Sequence, residues 1–178
     1  MDEAGRGPLA GPVFAAAALV KKEPDFLTEI RDSKKISEKK REKLFDLIMK
    51  SEDILVEVAQ RDPQTIDQIN IFEATKRAME EAILKLGEED ALVIIDGNFA
   101  INIEREQKSI IKADQKILEC SIASIAAKVS RDRLMRGMDK KYPGYGFSCH
   151  KGYPTKAHKE AIKKLGPCPI HRRSFKLI

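Results

Sequence analysis

Four acidic residues lie where a charged side chain is structurally awkward. Asp2 and Glu3 precede a glycine-rich segment and an apolar stretch. Asp96 ends the apolar run ALVII, and Asp114 follows the stretch SIIK. In an open α/β sheet the loops at strand ends converge on one cleft, so acids at several strand ends are expected to lie close together. Taken singly, each acid is better explained by a helix cap or a surface ion pair than by a functional role.

Clustered carboxylates repel one another, and hard divalent cations relieve that repulsion. Mg²⁺ takes oxygen ligands and keeps several waters, and two such ions about 3.5–4 Å apart can support phosphodiester cleavage. The three cysteines form no CxxC pair and the three histidines have no metal-ligand spacing, which disfavours zinc. Adjacent residues on a regular strand point to opposite faces. Asp2 and Glu3 are therefore expected to share a metal site only if the chain bends between them.

The glycine-rich segment DEAGRGPLAGP places Arg6 between Gly5 and Gly7. Glycines let the backbone approach a ligand closely and turn its amides outward. Arg6 could hold a phosphate through two parallel hydrogen bonds. A phosphotransferase that binds a nucleotide here is an alternative, but the chain has no Gly-Lys-Ser/Thr element, which counts against it.

The charge distribution is compatible with a polyanionic partner. The chain has a net charge of +5, and residues 139–178 hold ten lysines and arginines against only two acids, Asp139 and Glu160. A solvated helix face explains this surplus equally well. No apolar run approaches the ~20 residues of a membrane helix, and the start shows no signal-peptide pattern. We therefore expect a cytoplasmic protein without membrane contact.

The elements that must position these residues follow from periodicity and capping signals. We predict strands over 10–20, 54–59, 91–95 and 109–112, and helices over 38–50, 71–86, 117–136 and 156–165. Ser37 and Thr155 are predicted N-caps, and Gly87 a helix stop. Strands and helices alternate without a repeat or linker, which indicates an α/β fold with a central sheet and one domain over 1–178.

The string DEAGRGPLAGPV resembles the opening signature of ribonuclease HII, and further matches follow in the same order along nearly the whole chain. They are Asp32-Ser33-Lys34, Asn70-Ile71-Phe72, Ile95-Asp96-Gly97, Lys112-Ala113-Asp114-Gln115-Lys116, ASIAAKVSRDR at 123–133, His150-Lys151-Gly152-Tyr153 and His171-Arg172-Arg173-Ser174-Phe175. So many ordered matches make coincidence an inadequate explanation.

The resemblance implies a ribonuclease-H-like fold, with a central mixed β-sheet flanked by helices. It implies that Asp2, Glu3, Asp96 and Asp114 are the catalytic residues and bind two ions of Mg²⁺ or Mn²⁺. The implied enzyme is an endoribonuclease that hydrolyses the RNA strand of RNA–DNA hybrids. It also incises 5′ of ribonucleotides embedded in duplex DNA, leaving a 5′-phosphate and a 3′-hydroxyl.

The resemblance also implies nucleic-acid contacts. The turn Gly5-Arg6-Gly7 and Tyr153 would read the 2′-hydroxyl, the group that distinguishes RNA from DNA. Ser33 and Lys34 would contact the nucleic-acid backbone, and Lys151 is a candidate phosphate contact.

The basic part 139–178 would contribute to substrate binding by a monomer. Two alternatives stay open: a non-catalytic nucleic-acid-binding module, and a related ribonuclease with no preference for embedded ribonucleotides.

Overall fold

Residues 1–31 and 36–178, which this computed structural model describes, contain five β-strands. They are β1 (Asp2–Ala4), β2 (Val13–Val20), β3 (Ile54–Arg61), β4 (Val93–Asp96) and β5 (Gln107–Ile110). β2 pairs antiparallel with both β1 and β3, whereas β4 and β5 pair in parallel.

Met1 joins these two groups of strands into one mixed sheet. Its terminal ammonium group donates a hydrogen bond of 2.6 Å to the Ile94 carbonyl. Its own carbonyl accepts one of 3.0 Å from the amide of Asp96. This pattern is that of a parallel pair, so β1 lies beside β4 and the sheet order is β3-β2-β1-β4-β5. The predicted central mixed sheet is confirmed.

Helices cover both faces of the sheet. They are α1 (Thr28–Arg31), α2 (Glu38–Lys50), α3 (Pro63–Leu86), α4 (Leu118–Lys141), α5 (Phe147–His150) and α6 (Lys156–Leu165). In the described part of the chain, none of them has the length and apolarity that a membrane span requires.

The apolar core lies on both faces because alternate residues of β2 point to opposite sides. Phe14 and Ala16 pack with residues of α2 and α4, whereas Ala15 and Ala17 pack with residues of α3. All four side chains are buried. The small alanines of β2 leave room for a long helix on either side. α3 and α4 therefore pack on opposite faces of β2.

Three predicted boundaries are confirmed by their capping contacts. The Ser37 hydroxyl accepts a hydrogen bond of 3.3 Å from the Lys40 amide at the start of α2. The Thr155 hydroxyl does the same for the His158 amide at 3.2 Å in α6. Gly87 ends α3 with a φ of 78°, a conformation that glycine adopts without strain.

Other boundaries differ from the prediction. The strand predicted over 10–20 begins only at Val13, because Ala10 forms a bridge with His171 and the chain there pairs with the C-terminal segment. The strand predicted over 109–112 lies at 107–110, since Lys112 has a φ of 58°, which a strand does not accommodate.

Two helices are longer than predicted. The helix predicted over 71–86 starts at Pro63, where Asp62 is the N-cap, and it is kinked at Asn70. The side chain of Asn70 accepts hydrogen bonds from the amides of Phe72 and Glu73 and so caps the second half. The helix predicted over 117–136 continues to Lys141.

The buried Arg131 of α4 holds one side of the glycine-rich segment. Its guanidinium group donates three hydrogen bonds of 3.0–3.1 Å to main-chain carbonyls, those of Ala10, Pro12 and Lys151. A methyl group at Gly5 would lie 2.1 Å from Arg131 Nε, and the φ of Gly5 is 98°. Glycine is therefore required at this position both for space and for conformation.

The buried Arg172 holds the other side of the segment. It donates hydrogen bonds of 2.6–3.0 Å to three carbonyls, those of Gly5, Arg6 and Gly11. Burial, followed by the positive charge of Arg131, lowers the pKa of Arg172 to about 9. Arg131 and Arg172 together, called the arginine clasp below, fix the chain that follows β1.

The arginine clasp generates a stability prediction. Arg172→Lys should lower the free energy of unfolding by about 3 kcal/mol, because an ammonium group cannot reproduce the planar three-way contact and leaves buried carbonyls unsatisfied. Urea denaturation followed by circular dichroism measures this change. The neighbouring exposed residue offers a matched control, Arg173→Lys, with an expected change within about 0.5 kcal/mol. Equal losses in the two variants would contradict a special role for Arg172.

Candidate active site

The structure brings Asp2, Glu3 and Asp96 to the end of β4, and Asp114 lies beside Asp96. Asp96 is the last residue of β4, and its Oδ2 accepts a hydrogen bond of 3.1 Å from the Asp114 amide. Asp2 and Glu3 lie on β1, which neighbours β4 through Met1. The charge of Asp96 acts on both Asp2 and Glu3. Asp2, Glu3 and Asp96 therefore share one electrostatic environment, and Asp114 adjoins it through its amide.

The pair Asp2 and Glu3 does not show the bend that a shared site was expected to require. β1 is regular, with Asp2 opposite Ala16 and Glu3 opposite Ala15. Their side chains therefore leave opposite faces of the strand. Both remain near Asp96 because the pairing of Met1 with β4 places β1 beside the end of that strand.

The surroundings of Asp2 make its negative charge unfavourable. Burial raises the pKa of Asp2 to about 7, and the charges of Glu3 and Asp96 act in the same direction. A hydrogen bond with Ser124 of α4 and one of 2.7 Å from the Glu3 amide oppose the rise. Asp2 therefore sits among groups that disfavour its ionised form.

Glu3 is stabilised on one oxygen only. Burial raises its pKa, whereas Arg6, whose Nη1 lies 3.4 Å from Oε1, lowers it. The other oxygen, Oε2, is buried and has no hydrogen-bond partner among the described residues. A buried carboxylate oxygen without a partner carries a desolvation penalty, which a bound cation would relieve.

The donor set suits a hard divalent cation. It consists of carboxylate oxygens. One of them is Oε2 of Glu3, which has no partner among the described residues, and others belong to Asp2, whose ionised form is disfavoured by burial. Within residues 1–31 and 36–178, no three His, Cys, Asp or Glu side chains converge as a ready-made metal cage. Mg²⁺ does not need such a cage, because it is commonly held by one or two carboxylates together with waters and substrate phosphates. The residues therefore fit Mg²⁺ or Mn²⁺.

Glu3 and Asp114 open into a polar groove of about 540 Å³. Gly5, Arg6 and Gly7 line the same groove, and so does Tyr153. Its other lining residues include Arg41 of α2 and three residues of α4: Ser121, Ser124 and Lys128. The predicted turn, the predicted tyrosine and two of the predicted acids thus face one another across a single groove.

Tyr153 stands directly beside the glycine turn. A methyl group at Gly7 would lie 3.7 Å from Tyr153 Cε1, and the tyrosine is 39% exposed. The Lys128 ammonium group lies 5.8 Å from the centre of the tyrosine ring, and the Arg131 guanidinium group lies at the same distance. The ring is therefore flanked by positive charge and open to the groove.

Two buried histidines fix the backbone of Tyr153. His158 Nδ1 donates a hydrogen bond of 2.9 Å to the Tyr153 carbonyl, and its Nε2 lies 3.1 Å from His171 Nε2. His171 Nδ1 accepts one of 2.9 Å from the Cys168 amide. Burial, followed by the proximity of His158, lowers the pKa of His171 to about 4. Both rings are therefore neutral near pH 7, and their tautomers are fixed by these contacts.

Lys151, one of the predicted nucleic-acid contacts, does not line the groove. Lys151 is buried, its ammonium group donates to the Ser148 carbonyl, and it lies 3.7 Å from Glu38. Its position does not support the expected phosphate contact. Ser33 and Lys34 lie outside the described residues.

Sequence reasoning missed Lys128 and the two serines of α4 that line the groove. Their spacing of three and four residues, at 121, 124 and 128, was a signal, since such positions share one helix face. A polar helix stripe normally faces solvent, however, and only the folded structure shows that this one faces the acids.

Comparison with known proteins identifies relatives along the whole chain. The sequence model described as Ribonuclease HII matches residues 1–178. Ribonuclease HII of Acetivibrio thermocellus is 52% identical over 175 residues, which are 98% of this chain and 68% of that protein.

Solved structures show the same similarity. A chain of the PCNA:RNase HII complex from Archaeoglobus fulgidus aligns with a TM-score of 0.81 and 28% identity, covering 97% of this chain and 90% of that chain. The ribonuclease H2 from Pyrococcus horikoshii OT3 aligns with a TM-score of 0.72 and 28% identity, covering 99% and 92%.

The raised pKa of Asp2 generates a prediction about pH and metal. Between the unfolded pKa of 3.8 and the folded value of about 7, the folded protein holds a proton that the unfolded chain lacks. The protonated carboxyl group of Asp2 therefore stabilises the folded protein relative to the ionised one. This contribution is fully present below the unfolded pKa and is lost as the pH rises through the folded pKa. Asp2→Asn should therefore raise the free energy of unfolding by about 2–4 kcal/mol at pH 8 in EDTA, and have little effect at pH 4.

Urea denaturation at the two pH values measures this difference. Millimolar Mg²⁺ at pH 8 should stabilise the wild type more than the Asp2→Asn variant. The control is Asp90→Asn, at an exposed position, whose effect should be the same at both pH values. An Asp2→Asn effect that does not change with pH would show that Asp2 does not titrate in this range.

Proposed function

The chain belongs to the ribonuclease HII family, and from that premise we propose that it incises duplex DNA on the 5′ side of embedded ribonucleotides. Ribonucleases HII are metal-dependent endoribonucleases that act on RNA–DNA hybrids. The predicted ribonuclease-H-like fold is confirmed by the structural relatives. The observation that carries the finer proposal is the groove in which Glu3 and Asp114 face the turn at 5–7 and Tyr153.

Asp2, Glu3, Asp96 and Asp114 are proposed to hold two divalent cations, Mg²⁺ or Mn²⁺. When bound, such ions lower the pKa of an attacking water and neutralise charge on the departing 3′-oxygen, which leaves a 5′-phosphate and a 3′-hydroxyl. The chain itself orients the carboxylates. The Asp114 amide holds Asp96 Oδ2, and Ser124 holds the side chain of Asp2. Carboxylates fixed before the substrate arrives need little reorganisation during the reaction.

The turn at 5–7 is proposed to recognise the 2′-hydroxyl with its main chain. The carbonyls of Gly5 and Arg6 point into the protein, because both accept hydrogen bonds from Arg172. In a trans peptide the N–H group points opposite to the carbonyl of the same unit. The amides of Arg6 and Gly7 are therefore directed away from Arg172, on the side available to a ligand in the groove.

Tyr153 is proposed to contact the sugar of the ribonucleotide. Its ring is 39% exposed, its backbone is fixed by His158, and Gly7 leaves space beside its edge. A phenol offers an apolar face to the sugar and a hydroxyl group that can donate to the 2′-oxygen. The turn and the tyrosine together could read the junction between RNA and DNA.

We assign the whole chain, 1–178, to one catalytic domain that works as a monomer. The basic part 139–178 extends the binding surface beyond Tyr153. Four lysines of α6, namely Lys156, Lys159, Lys163 and Lys164, are exposed on the helix that begins three residues after that tyrosine. Positive side chains of this kind bind the phosphate backbone without reading sequence.

Cleavage of a labelled DNA duplex with one ribonucleotide tests the activity. We expect a nick on the 5′ side of the ribonucleotide only with Mg²⁺ or Mn²⁺, and none in an all-DNA duplex. Asp96→Asn and Asp114→Asn should each lower kcat by about 1,000-fold or more, because each removes a carboxylate charge that would hold the cations, while substrate binding persists.

The matched control is Asp90→Asn, which removes an exposed acid and should leave the rate unchanged. Full activity in either site variant would refute the site assignment. Binding without any product, with every metal tried, would favour the non-catalytic nucleic-acid-binding module.

Tyr153→Ala tests the reading of the junction. We expect kcat/KM on the single-ribonucleotide duplex to fall by about 10- to 100-fold, as expected for the loss of a stacked, hydrogen-bonding ring, and to fall less on a long RNA–DNA hybrid. Tyr153→Phe keeps the ring and isolates the hydroxyl group. An equal loss on both substrates would mean that Tyr153 contributes to general binding and not to recognition of the junction.

A further inference from the structure

One face of α4 forms a wall of the groove, running from the acids towards Tyr153. Ser121, whose hydroxyl donates to the Asp114 carbonyl, and Ser124, which is bonded to Asp2, lie at the acidic end. Lys128 follows one turn later, about 6 Å further along the helix axis, and lines the same groove. This face therefore places one positive side chain a short distance from the carboxylates.

Lys128 is anchored by a buried acid. Its Nζ lies 2.8 Å from Oδ1 of Asp132, whose side chain is only 7% exposed, while the lysine side chain is 32% exposed. An ammonium group has three hydrogen-bond donors, so its bond to Asp132 leaves donor capacity for a ligand. A lysine that is already held in place loses less conformational freedom on binding than a mobile surface lysine.

The charges around the groove explain why such a lysine is useful. Glu3 and Asp114 line the groove and repel a polyanion. Two arginines also line it, but Arg6 lies 3.4 Å from a Glu3 oxygen, and Arg41 donates to the Ile36 carbonyl at 3.1 Å. The anchored ammonium group of Lys128 lies 5.8 Å from the centre of the exposed Tyr153 ring, in the groove that these acids also line.

We propose that Lys128, positioned by Asp132, binds a backbone phosphate of the substrate at the Tyr153 end of the groove. This inference rests on the proposed function, since it names a contact for the same substrate. Lys128 would attract and hold the strand beside the scissile position, and Asp132 would act only through the lysine. The competing explanation is a purely structural ion pair that the substrate does not touch.

Binding of a fluorescein-labelled RNA–DNA hybrid, followed by anisotropy in EDTA over a series of KCl concentrations, tests the proposal in the full chain. Lys128→Gln keeps an amide donor for Asp132 but removes the charge. We expect its Kd to rise about 5- to 10-fold and the slope of log Kd against log salt to fall by about one, as expected for one lost phosphate contact. Lys128→Arg should restore both values.

Asp132→Asn tests the positioning role and does not depend on the folding of the first variant. It keeps the lysine charge, so Kd should rise about 2- to 3-fold with an unchanged salt slope. In the Lys128→Gln background it should add nothing further. Additive effects of the two substitutions would refute positioning through Lys128.

A control substitution and a kinetic measurement complete the test. Lys85→Ala removes an equal charge from α3, where Lys85 pairs with Glu81, and should change neither Kd nor slope. With Mg²⁺, Lys128→Gln should raise KM more than it lowers kcat. A folded Lys128→Gln variant with the wild-type salt slope would overturn the proposal while leaving the proposed function intact. Absence of binding and cleavage by the wild type would overturn both.

Discussion

The rest of the structure depends on two buried arginines that hold main-chain carbonyls. The segment that follows β1 carries three glycines within seven residues, at 5, 7 and 11, and such a chain has a high conformational entropy to lose on folding. Arg131 and Arg172 donate to it from opposite sides. Arg172 reaches it from the segment that follows α6, so contacts between residues far apart in the chain hold this part of the groove. The turn at 5–7, which follows the acids of β1, is thereby tied to both α4 and the segment that follows α6.

The site is also the place where the fold accepts an electrostatic penalty. Asp2 and Glu3 are carboxylates whose pKa values are raised by burial, and Glu3 has a buried oxygen without a partner. Better stability would follow from apolar residues at these positions, since buried charges seldom repay their desolvation. A site that binds cations needs this unfavourable arrangement, because the attraction for the cation is strongest where the protein leaves the negative charge uncompensated.

Local features of the fold could be predicted from the sequence, and long-range ones could not. The bounds of α2, the caps Ser37 and Thr155, and the stop at Gly87 follow from signals within a few residues. The acids were predicted because each interrupts an apolar context. The arginine clasp was not, because its hydrogen bonds to the glycine-rich segment join residues 119 to 167 positions apart. The burial of Lys151 beside Glu38 could not be predicted either, because it depends on tertiary packing.

On the proposed function, the residues along the α4 face would affect where the substrate strand lies in the groove. Its serines contact the residues that would hold cations, its lysine follows one turn later, and the basic helix α6 begins just beyond Tyr153. A nucleic-acid strand is uniformly negative, so a groove that is acidic at one end and basic at the other favours one placement of the strand. The reacting phosphate would lie at the acidic end only when cations neutralise it, whereas the flanking phosphates would bind at the basic end without them. On the proposed function, binding and cleavage are therefore separable, because binding would depend on the lysines of α4 and α6, whereas cleavage would depend on the acids at the other end of the groove.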